Sequence, residues 1–475
     1  MIILSEADKN ADKLVVSFKF PPDKDISGIV VAKRILEDKS IVDVLQNTQN
    51  DENLDFDAVN DFINERLCVS VDSDRDSVEC IFNFIAQGLE LIGDRQYREI
   101  YSRSWYMSNH YLALEYKFSH PDSFWVAEFS DPVLLNMKGE IKTHKASVLD
   151  DREYIDRINL KIDEYNNIHS TNFDKLDNPN NTFYLAEYLT FLFADKLIFT
   201  NENQRQIMLN AHDEKTRKIA LEKSEIIPHP TLDGEYYHLA ETEFELNRED
   251  INIAYFGNSY YASRHFEPLF FAFESLNHKY KDKIKFHIFI KRDEFADVFI
   301  DDLQFRDNIT INEPLEFFEF LNATEKFDVL VINDTITEGL FPVNPYLPSK
   351  LSDYLGSGRD IWAIYEKDST LSKSDVKYKS ILTDYKQSRE VLVDILNDYG
   401  YADEEYGFDD AFYEKRINQL NRIIFNEFLS DKQKNSKIKR LDKENKKLKS
   451  ENEKFRSSKS WKTTAPLRKL MSLFR

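Results

Sequence analysis

Two groups of residues in this chain carry side chains and spacings suited to chemistry. The first lies in Pro345-Tyr-Leu-Pro-Ser-Lys-Leu-Ser-Asp-Tyr-Leu-Gly-Ser-Gly-Arg-Asp-Ile-Trp-Ala-Ile364. Pro348 fixes the entry to a predicted helix and Ser349 is its expected N-cap. Leu351, Tyr354 and Leu355 fall on one helical face, Gly356 and Gly358 close the helix, and the next seven residues read as a buried strand. A helix start with bare N–H groups, the Ser349 hydroxyl and the Lys350 ammonium suits a phosphate. The plain alternative is a capped helix of an α/β domain that binds nothing. The second group is His110 and Asp131. His110 stands at the start of a predicted amphipathic helix, where the dipole lowers an imidazole pKa. Asp131 follows the apolar run Phe124-Trp-Val-Ala-Glu-Phe129 in a Ser-Asp-Pro turn. Their plain readings are a neighbour of a helix cap and an Asx–Pro turn.

The elements that must hold these residues follow an α/β rhythm. Lys13-Leu-Val-Val-Ser-Phe-Lys-Phe20 alternates as a strand, runs through a loop ending at Gly28, and enters a helix over 29–37. Strand, loop with one glycine, helix is the first unit of a doubly wound fold. Further strands are expected at 66–71, 123–129 and 195–200, with helices at 78–91, 182–194 and 202–211. A second set opens with Ile251-Asn-Ile-Ala-Tyr-Phe-Gly257 and a helix over 266–276. It continues through strands at 283–290, 308–312 and 327–333. Helices at 390–398 and 413–428 follow. From Ile438 a heptad appears, with Ile438, Leu441, Leu448 and Phe455 apolar and Asn445 and Asn452 at a-type positions, where Asn fixes register in a two-stranded coil. The alternative is a solvated single helix.

Composition bounds the classes. A chain of 475 residues implies two domains or more. Cys68 and Cys80 have no metal-ligand spacing and read as free thiols in a reducing cytoplasm. The start, Met1-Ile-Ile-Leu followed by Glu6 and Asp8, does not read as a signal peptide, and no apolar run is long enough to span a membrane. The net charge is -22, yet residues 431–475 hold 16 Lys+Arg against 5 Asp+Glu, so that segment is +11 and the rest is -33. An acidic body argues against nucleic-acid binding by the main domains, and a basic tail points to an acidic partner or anionic lipid.

The Pro345–Ile364 stretch resembles the "P-S-K-L-x-E-Y-L-x-S-G-K-P" segment of GT-B glycosyltransferases, family 4 above all, which lines the nucleotide-sugar site of the C-terminal domain. Trp125-Val-Ala-Glu-Phe-Ser-Asp-Pro132 is similar to that family's "W-I-A-D-F-x-D-P", and Ala194-Asp-Lys-Leu-Ile-Phe-Thr-Asn-Glu202 to its "A-D-x-I-x-x-x-S-E". The resemblance implies a GT-B fold of two Rossmann-like domains. It gives an acceptor domain over 1–245, a donor domain over 246–405 and helices crossing back over 406–430. The basic coil would follow over 431–457 and a membrane-contact tail over 458–475. It implies transfer of a sugar from a nucleotide-sugar to an acceptor hydroxyl, with retention, no cofactor and no metal. His110 and Asp131 then face the reacting sugar or acceptor. Gly28, Gly257, Asn258, Arg264, Ser349, Lys350 and Asp353 hold the donor. Gly257 admits phosphate oxygens to the backbone and Arg264 supplies a permanent charge. Two departures stand out. Asn258 occupies the place of a usual Arg, and of a usual pair of glutamates only Asp353 matches, Pro345 standing for the other. The segment Ser458-Lys-Ser-Trp-Lys-Thr-Thr-Ala-Pro-Leu-Arg468 resembles the "S-W-K-x-T-x-P-L-R" tail of bacterial surface-polysaccharide and cell-wall glycopolymer enzymes. The expected partners are a glycan or lipid-linked acceptor, the anionic inner face of the cell membrane, and a second copy through the coil. Rival readings are a non-catalytic GT-B subunit that binds a glycan or a partner enzyme, and a scaffold whose coil is the active part.

Overall fold

The computed structural model describes residues 11–48, 56–72, 74–257, 267–276, 278–291, 306–382 and 384–401. Asn258, Arg264, the coil and the basic tail lie outside the described residues.

In the first half the strands are β1 (Lys13–Val16), β2 (Val42–Asn47), β3 (Ile63–Val69), β4 (Glu99–Arg103), β5 (Phe124–Phe129), β6 (Val148–Leu149), β7 (Asn180–Asn181), β8 (Lys196–Phe199) and β9 (Ser224–Ile226). The helices are α1 (Ile26–Asp38), α2 (Val78–Ile92), α3 (Met107–Ser119), α4 (Arg152–His169), α5 (Thr182–Phe193), α6 (Glu202–Asn210) and α7 (Glu214–Glu222). Seven of these strands form a parallel sheet in the order β3-β2-β1-β4-β5-β8-β9, and β6 pairs antiparallel with β7. The second half contributes β10 (Ile251–Phe256), β11 (Ile284–Phe289), β12 (Ile309–Asn312), β13 (Val329–Asn333), β14 (Asp360–Tyr365) and β15 (Tyr378–Ile381). With them come α8 (Glu267–Glu274), α9 (His278–Lys281), α10 (Phe317–Thr324), α11 (Lys350–Gly356) and α12 (Tyr385–Asp398). Its sheet is also parallel, in the order β12-β11-β10-β13-β14-β15.

Both sheets are doubly wound. Strand order reverses between β1 and β4 in the first and between β10 and β13 in the second. In such folds the loops at the carboxyl ends of the strands beside the reversal part and leave a crevice for a ligand. The sequence dictates this layering. β2, β10 and most of β5 are buried along their length, as strands covered on both faces must be. α1 covers one face with Val30, Val31, Ala32, Ile35 and Leu36, all buried. Its N-cap Asp25 accepts from the Gly28 N–H at 3.0 Å, an arrangement that contributes about 1 kcal/mol. Gly28 itself lies so near the preceding loop that a Cβ would stand 2.6 Å from the Lys19 carbonyl oxygen.

The loops leaving the carboxyl ends of the two sheets touch one another. Asn201, after β8, donates to the Pro345 carbonyl at 3.0 Å, and Asn203 to the Asn344 and Asp368 carbonyls at 3.0 and 3.1 Å. Lys24, after β1, pairs with Glu316 at the start of α10. Phe56 stacks on Phe317 and tilts against Phe318, so apolar contact backs the polar ones.

Candidate active site

At the carboxyl edge of the first sheet, two buried groups fix the frame. Asn109 in the first turn of α3 accepts from the Phe18 N–H at 2.7 Å and donates to the Arg103 carbonyl at 2.8 Å, tying together the loops that part at the reversal. Glu128, the last residue but one of β5, is fully buried. It takes Arg34 Nε at 3.1 Å, Arg103 Nε at 3.1 Å and the Tyr101 hydroxyl at 2.8 Å. Burial alone would raise its pKa, but the two guanidiniums overcome that and hold it at about 2. Arg103 also donates to the Ser27 hydroxyl at 2.5 Å, and Arg34 to the Ile227 and Pro228 carbonyls, so one carboxylate clamps α1, β4, β5 and the linker.

His110 follows in α3. The Trp125 indole donates to the Ser102 hydroxyl at 2.9 Å, and that hydroxyl shares a hydrogen bond of 2.8 Å with His110 Nδ1. Burial drives the imidazole pKa down to about 3, with the nearby Arg103 charge acting the same way. The sequence reading assigned this lowering to the helix dipole; burial is the larger cause. The ring is therefore neutral, and its Nε2 finds no partner among the described residues. The hydroxyls of Ser104, Ser108 and Ser130 are likewise buried without a partner. Asp131 lies half-buried beside Ser130; burial raises its pKa, while Arg103 and Lys142 pull it down. Glu187 of α5 holds the next turn through the Val133 and Leu134 N–H groups at 2.8 and 2.7 Å and pairs with His212 at 2.8 Å.

At the carboxyl edge of the second sheet, Asp334 follows β13. It is buried, with one oxygen accepting from the Glu366 N–H at 2.9 Å and the other unpartnered, as is the Asn333 Nδ2 beside it. Burial pushes its carboxyl up to about 7. Gly257 follows β10 with its would-be Cβ 2.2 Å from the Tyr255 hydroxyl, so the close packing of that ring requires the glycine. The Phe256 N–H donates to the Tyr354 hydroxyl at 3.2 Å, which joins this loop to α11. The helix starts as the sequence implies, but Ser349 differs from expectation. Its backbone is already helical and its side chain caps nothing. α11 is also only seven residues long, which leaves little macrodipole. Lys350 keeps the features of an anion ligand. Its ammonium lies 5.7 Å over the Phe320 ring, has no ion pair or hydrogen bond among the described residues, and has its pKa lowered by burial. Asp353 is engaged across the domains: Lys33 of α1 meets it at 2.6 Å, with Ser352 at 3.0 Å, and all three are buried.

His110 and Asp131 thus share the first edge, and Gly257, Lys350 and Asp353 the second. Gly28 opens α1 beside the Ser27–Arg103 contact. The sequence reading passed over Arg34, Arg103, Glu128, Lys33 and Asp334. Glu128 sits inside the quoted Trp125–Pro132 segment, but its partners are 94 and 25 residues away. His229 was passed over too. It lies in the linker between two prolines, buried, with its pKa lowered to about 3 by burial and by Arg103. A shallow depression at the opposite, amino-terminal edge of the first sheet is lined by Asp12, Lys13, Asp38 and Glu99 among others. Its lysine is already paired with Asp38 and Glu99 at 3.0 and 2.9 Å. Among the described residues no group of three or more His, Cys, Asp and Glu side chains could hold a metal ion.

Two parallel doubly wound sheets, each with its reversal crevice turned to the other, define the GT-B fold. No family model and no curated protein matches the sequence. Solved structures do match. The structure of HepE from Anabaena in complex with UDP and glucose superposes on 88% of this chain and 99% of its own length, at 9% identity and a TM-score of 0.51. Sucrose-phosphate synthase from Thermosynechococcus elongatus covers 87% of this chain and 98% of its own, at 12% identity and a TM-score of 0.53. At such identities the shared property is the fold.

Proposed function

We propose that the chain is a glycosyltransferase that moves a sugar from a nucleotide-sugar to an acceptor hydroxyl. The observation that carries this is the presence of buried, partnerless polar atoms at the carboxyl edges of both sheets. His110 Nε2 and the Ser104, Ser108 and Ser130 hydroxyls stand at one edge, Asn333 Nδ2 and an Asp334 oxygen at the other. Buried polar groups left unpaired are costly, and a polar ligand spanning the two edges would satisfy them. The HepE complex holds UDP and glucose, which supports a uridine nucleotide-sugar as the first donor to test.

In the reaction the bond from the anomeric carbon to the donor diphosphate breaks and a bond to the acceptor oxygen forms. The acceptor proton passes to the departing phosphate or to Asp131. Lys350 and Arg264 would meet the diphosphate charge, and the neutral His110 would offer Nε2 to a sugar hydroxyl. We place the acceptor among lipid-linked surface glycans, with retention of configuration and without a metal. No described helix is long and apolar enough to cross a membrane. The tail over 458–475 would seat the protein on the anionic inner face of the membrane, and the coil over 431–457 would pair two copies.

Release of nucleoside diphosphate from a panel of nucleotide-sugars by the purified chain, with and without EDTA, tests the reading. Turnover that survives chelation is the expected result. Absence of both turnover and calorimetric binding across the panel would overturn it, and binding without turnover would favour the non-catalytic subunit. Co-sedimentation with anionic liposomes before and after truncation at 457 tests the tail.

A further inference from the structure

We propose that Lys33 is a positioning residue for Lys350: by holding Asp353 from the first half of the chain, it stops that carboxylate from pairing with Lys350 and leaves the Lys350 ammonium open to a diphosphate. The inference rests on the transferase reading and adds to it a residue of α1 that acts on a ligand of α11.

α1 carries two adjacent cations, Lys33 and Arg34, and both are buried. Such side chains are seldom buried without a partner. Arg34 is answered within the first half by Glu128 at 3.1 Å. Lys33, its side chain 2% exposed, is answered by the second half. Its ammonium donates to Asp353 Oδ1 at 2.6 Å and to the Ser352 hydroxyl at 3.0 Å. Both acceptors belong to a turn that is fixed from other directions. The Ser352 hydroxyl donates to the Ser349 carbonyl at 2.9 Å, and the Asp353 backbone carbonyl accepts from the Tyr237 hydroxyl at 2.6 Å. That tyrosine lies so close to α11 that a Cβ on Gly356 would stand 2.0 Å from its hydroxyl.

Lys350 is the other cation that acts on this carboxylate. Positions 350 and 353 are three residues apart in α11, a spacing at which side chains are neighbours on a helix surface and opposite charges attract. Burial is the largest influence on the Lys350 pKa and lowers it; Asp353 pulls the other way, and Lys33 adds to the lowering. Yet the pair that forms is Lys33 with Asp353. Among the described residues Lys350 makes no ion pair and rests 5.7 Å over the Phe320 ring. Two cations and one anion leave a surplus of one positive charge, and this pairing puts the surplus at Lys350. Without Lys33 the three-residue spacing lets Asp353 turn to Lys350 and cancel its charge, so an incoming diphosphate has a carboxylate to displace. A competing unit charge at such range is worth at least about ten-fold in anion affinity.

The test is a double-substitution cycle on the full chain. The parent, Lys33→Met, Asp353→Asn and the double variant are each titrated calorimetrically with UDP and with inorganic pyrophosphate, and each is unfolded in urea. Lys350→Ala identifies the binding that depends on this lysine. Lys33→Met is expected to bind both ligands at least about ten-fold more weakly, and the double variant to recover most of that loss because the competing carboxylate is gone. A strut that only joins the two halves predicts no recovery, since the contact is equally absent from the double variant. Unchanged affinity in Lys33→Met, or no recovery in the double variant, overturns the proposal. So does a ten-fold loss in Asp353→Asn alone, which would show that the carboxylate itself touches the ligand. Lys33→Gln keeps a hydrogen bond to Asp353 without the charge; it gives the same comparison if the methionine variant does not fold, with a smaller expected loss. Turnover of nucleotide-sugars by the parent is measured separately. If turnover is present and the cycle shows no recovery, the positioning role fails and the transferase reading stands. If no nucleotide-sugar binds or turns over but pyrophosphate binding follows the cycle, the transferase reading fails and Lys33 still positions an anion site. Absence of any Lys350-dependent binding of either ligand overturns the proposal outright.

Discussion

Each sheet ends in one deeply buried carboxylate at its crevice, and the two behave in opposite ways. Glu128 in the first half is held at about 2 by two arginines and a tyrosine, and it joins α1 and β4 to its own strand β5. Asp334 in the second half has no cation beside it, accepts one backbone N–H at 2.9 Å, and is pushed up to about 7. Equal burial therefore yields an anion that braces the fold in one case and a carboxyl poised to hold or release a proton near neutral pH in the other. The contrast extends to the surroundings. The edge of the first sheet is braced by Asn109, Glu128 and Glu187, whereas Lys350 at the edge of the second has, among the described residues, only a ring beneath it. A braced edge can keep an acceptor hydroxyl in place, and an uncompensated lysine can receive a diphosphate.

Removing Glu128 is the strongest way to break this contrast. Glu128→Ala leaves Arg34 and Arg103 buried without their anion, and urea unfolding is expected to show a loss of about 3–5 kcal/mol. An equal loss from Asp334→Ala would abolish the distinction. Lys350→Ala comes next and acts on activity. A cation stabilising the departing charge is worth about 10²–10³ in kcat, so turnover should fall by that order. Its ammonium makes no ion pair or hydrogen bond among the described residues, which predicts an unfolding midpoint close to that of the parent protein. Unchanged kcat/KM would remove Lys350 from the donor site.

Much of the fold was legible because its strands are apolar runs between glycines and polar turns. The Ile251–Phe256, Val329–Asn333 and Asp360–Tyr365 strands stand within a residue or two of expectation. β2 and β4 were missed for a physical reason. Val42-Asp-Val-Leu-Gln-Asn47 is buried throughout, but Asp43 and Gln46 interrupt its apolar pattern and find partners only in the folded chain, Tyr97 and Asn64 for the first and Arg66 for the second. Glu99-Ile-Tyr-Ser-Arg103 likewise begins and ends in charges. The site shows the same limit. Lys350 could be read from a local motif. Glu128, Lys33 and Asp334 could not, because their character depends on contacts or burial set by distant segments, and a ladder of 320 residues separates Lys33 from Asp353.

The Asp334 half of the contrast is sharpened by pH. Its folded pKa is raised above the ordinary carboxyl value of 3.8 to about 7. The folded state therefore binds a proton that the unfolded state releases, and the contribution to stability is full below about 4 and is lost as pH rises through about 7. Asp334→Asn keeps the shape and cannot ionise. The parent protein is expected to lose a few kcal/mol relative to this variant between pH 4 and pH 8, measured by urea unfolding at each pH. Parallel stability curves for the two proteins would show that Asp334 is already ionised at pH 4 and that the two carboxylates do not differ.

The smallest effect separates a cap from a ligand in the second half. Asp384 is a true N-cap of α12, accepting from the Lys386 and Gln387 N–H groups at 3.0 and 3.1 Å. Ser349 stands at the equivalent place before α11 with helical backbone angles and no capping bond. Replacing Asp384 with Ala is expected to cost about 1 kcal/mol, and Ser349→Ala less than about 0.5 kcal/mol. If the Ser349 hydroxyl has a task, it lies with the donor, beside Lys350. Ser349→Ala should then raise KM for the nucleotide-sugar a few-fold at unchanged stability, whereas Asp384→Ala should lower stability at unchanged KM. A loss of stability in Ser349→Ala comparable to that of Asp384→Ala would return Ser349 to the role of a cap and remove the hydroxyl from the donor site.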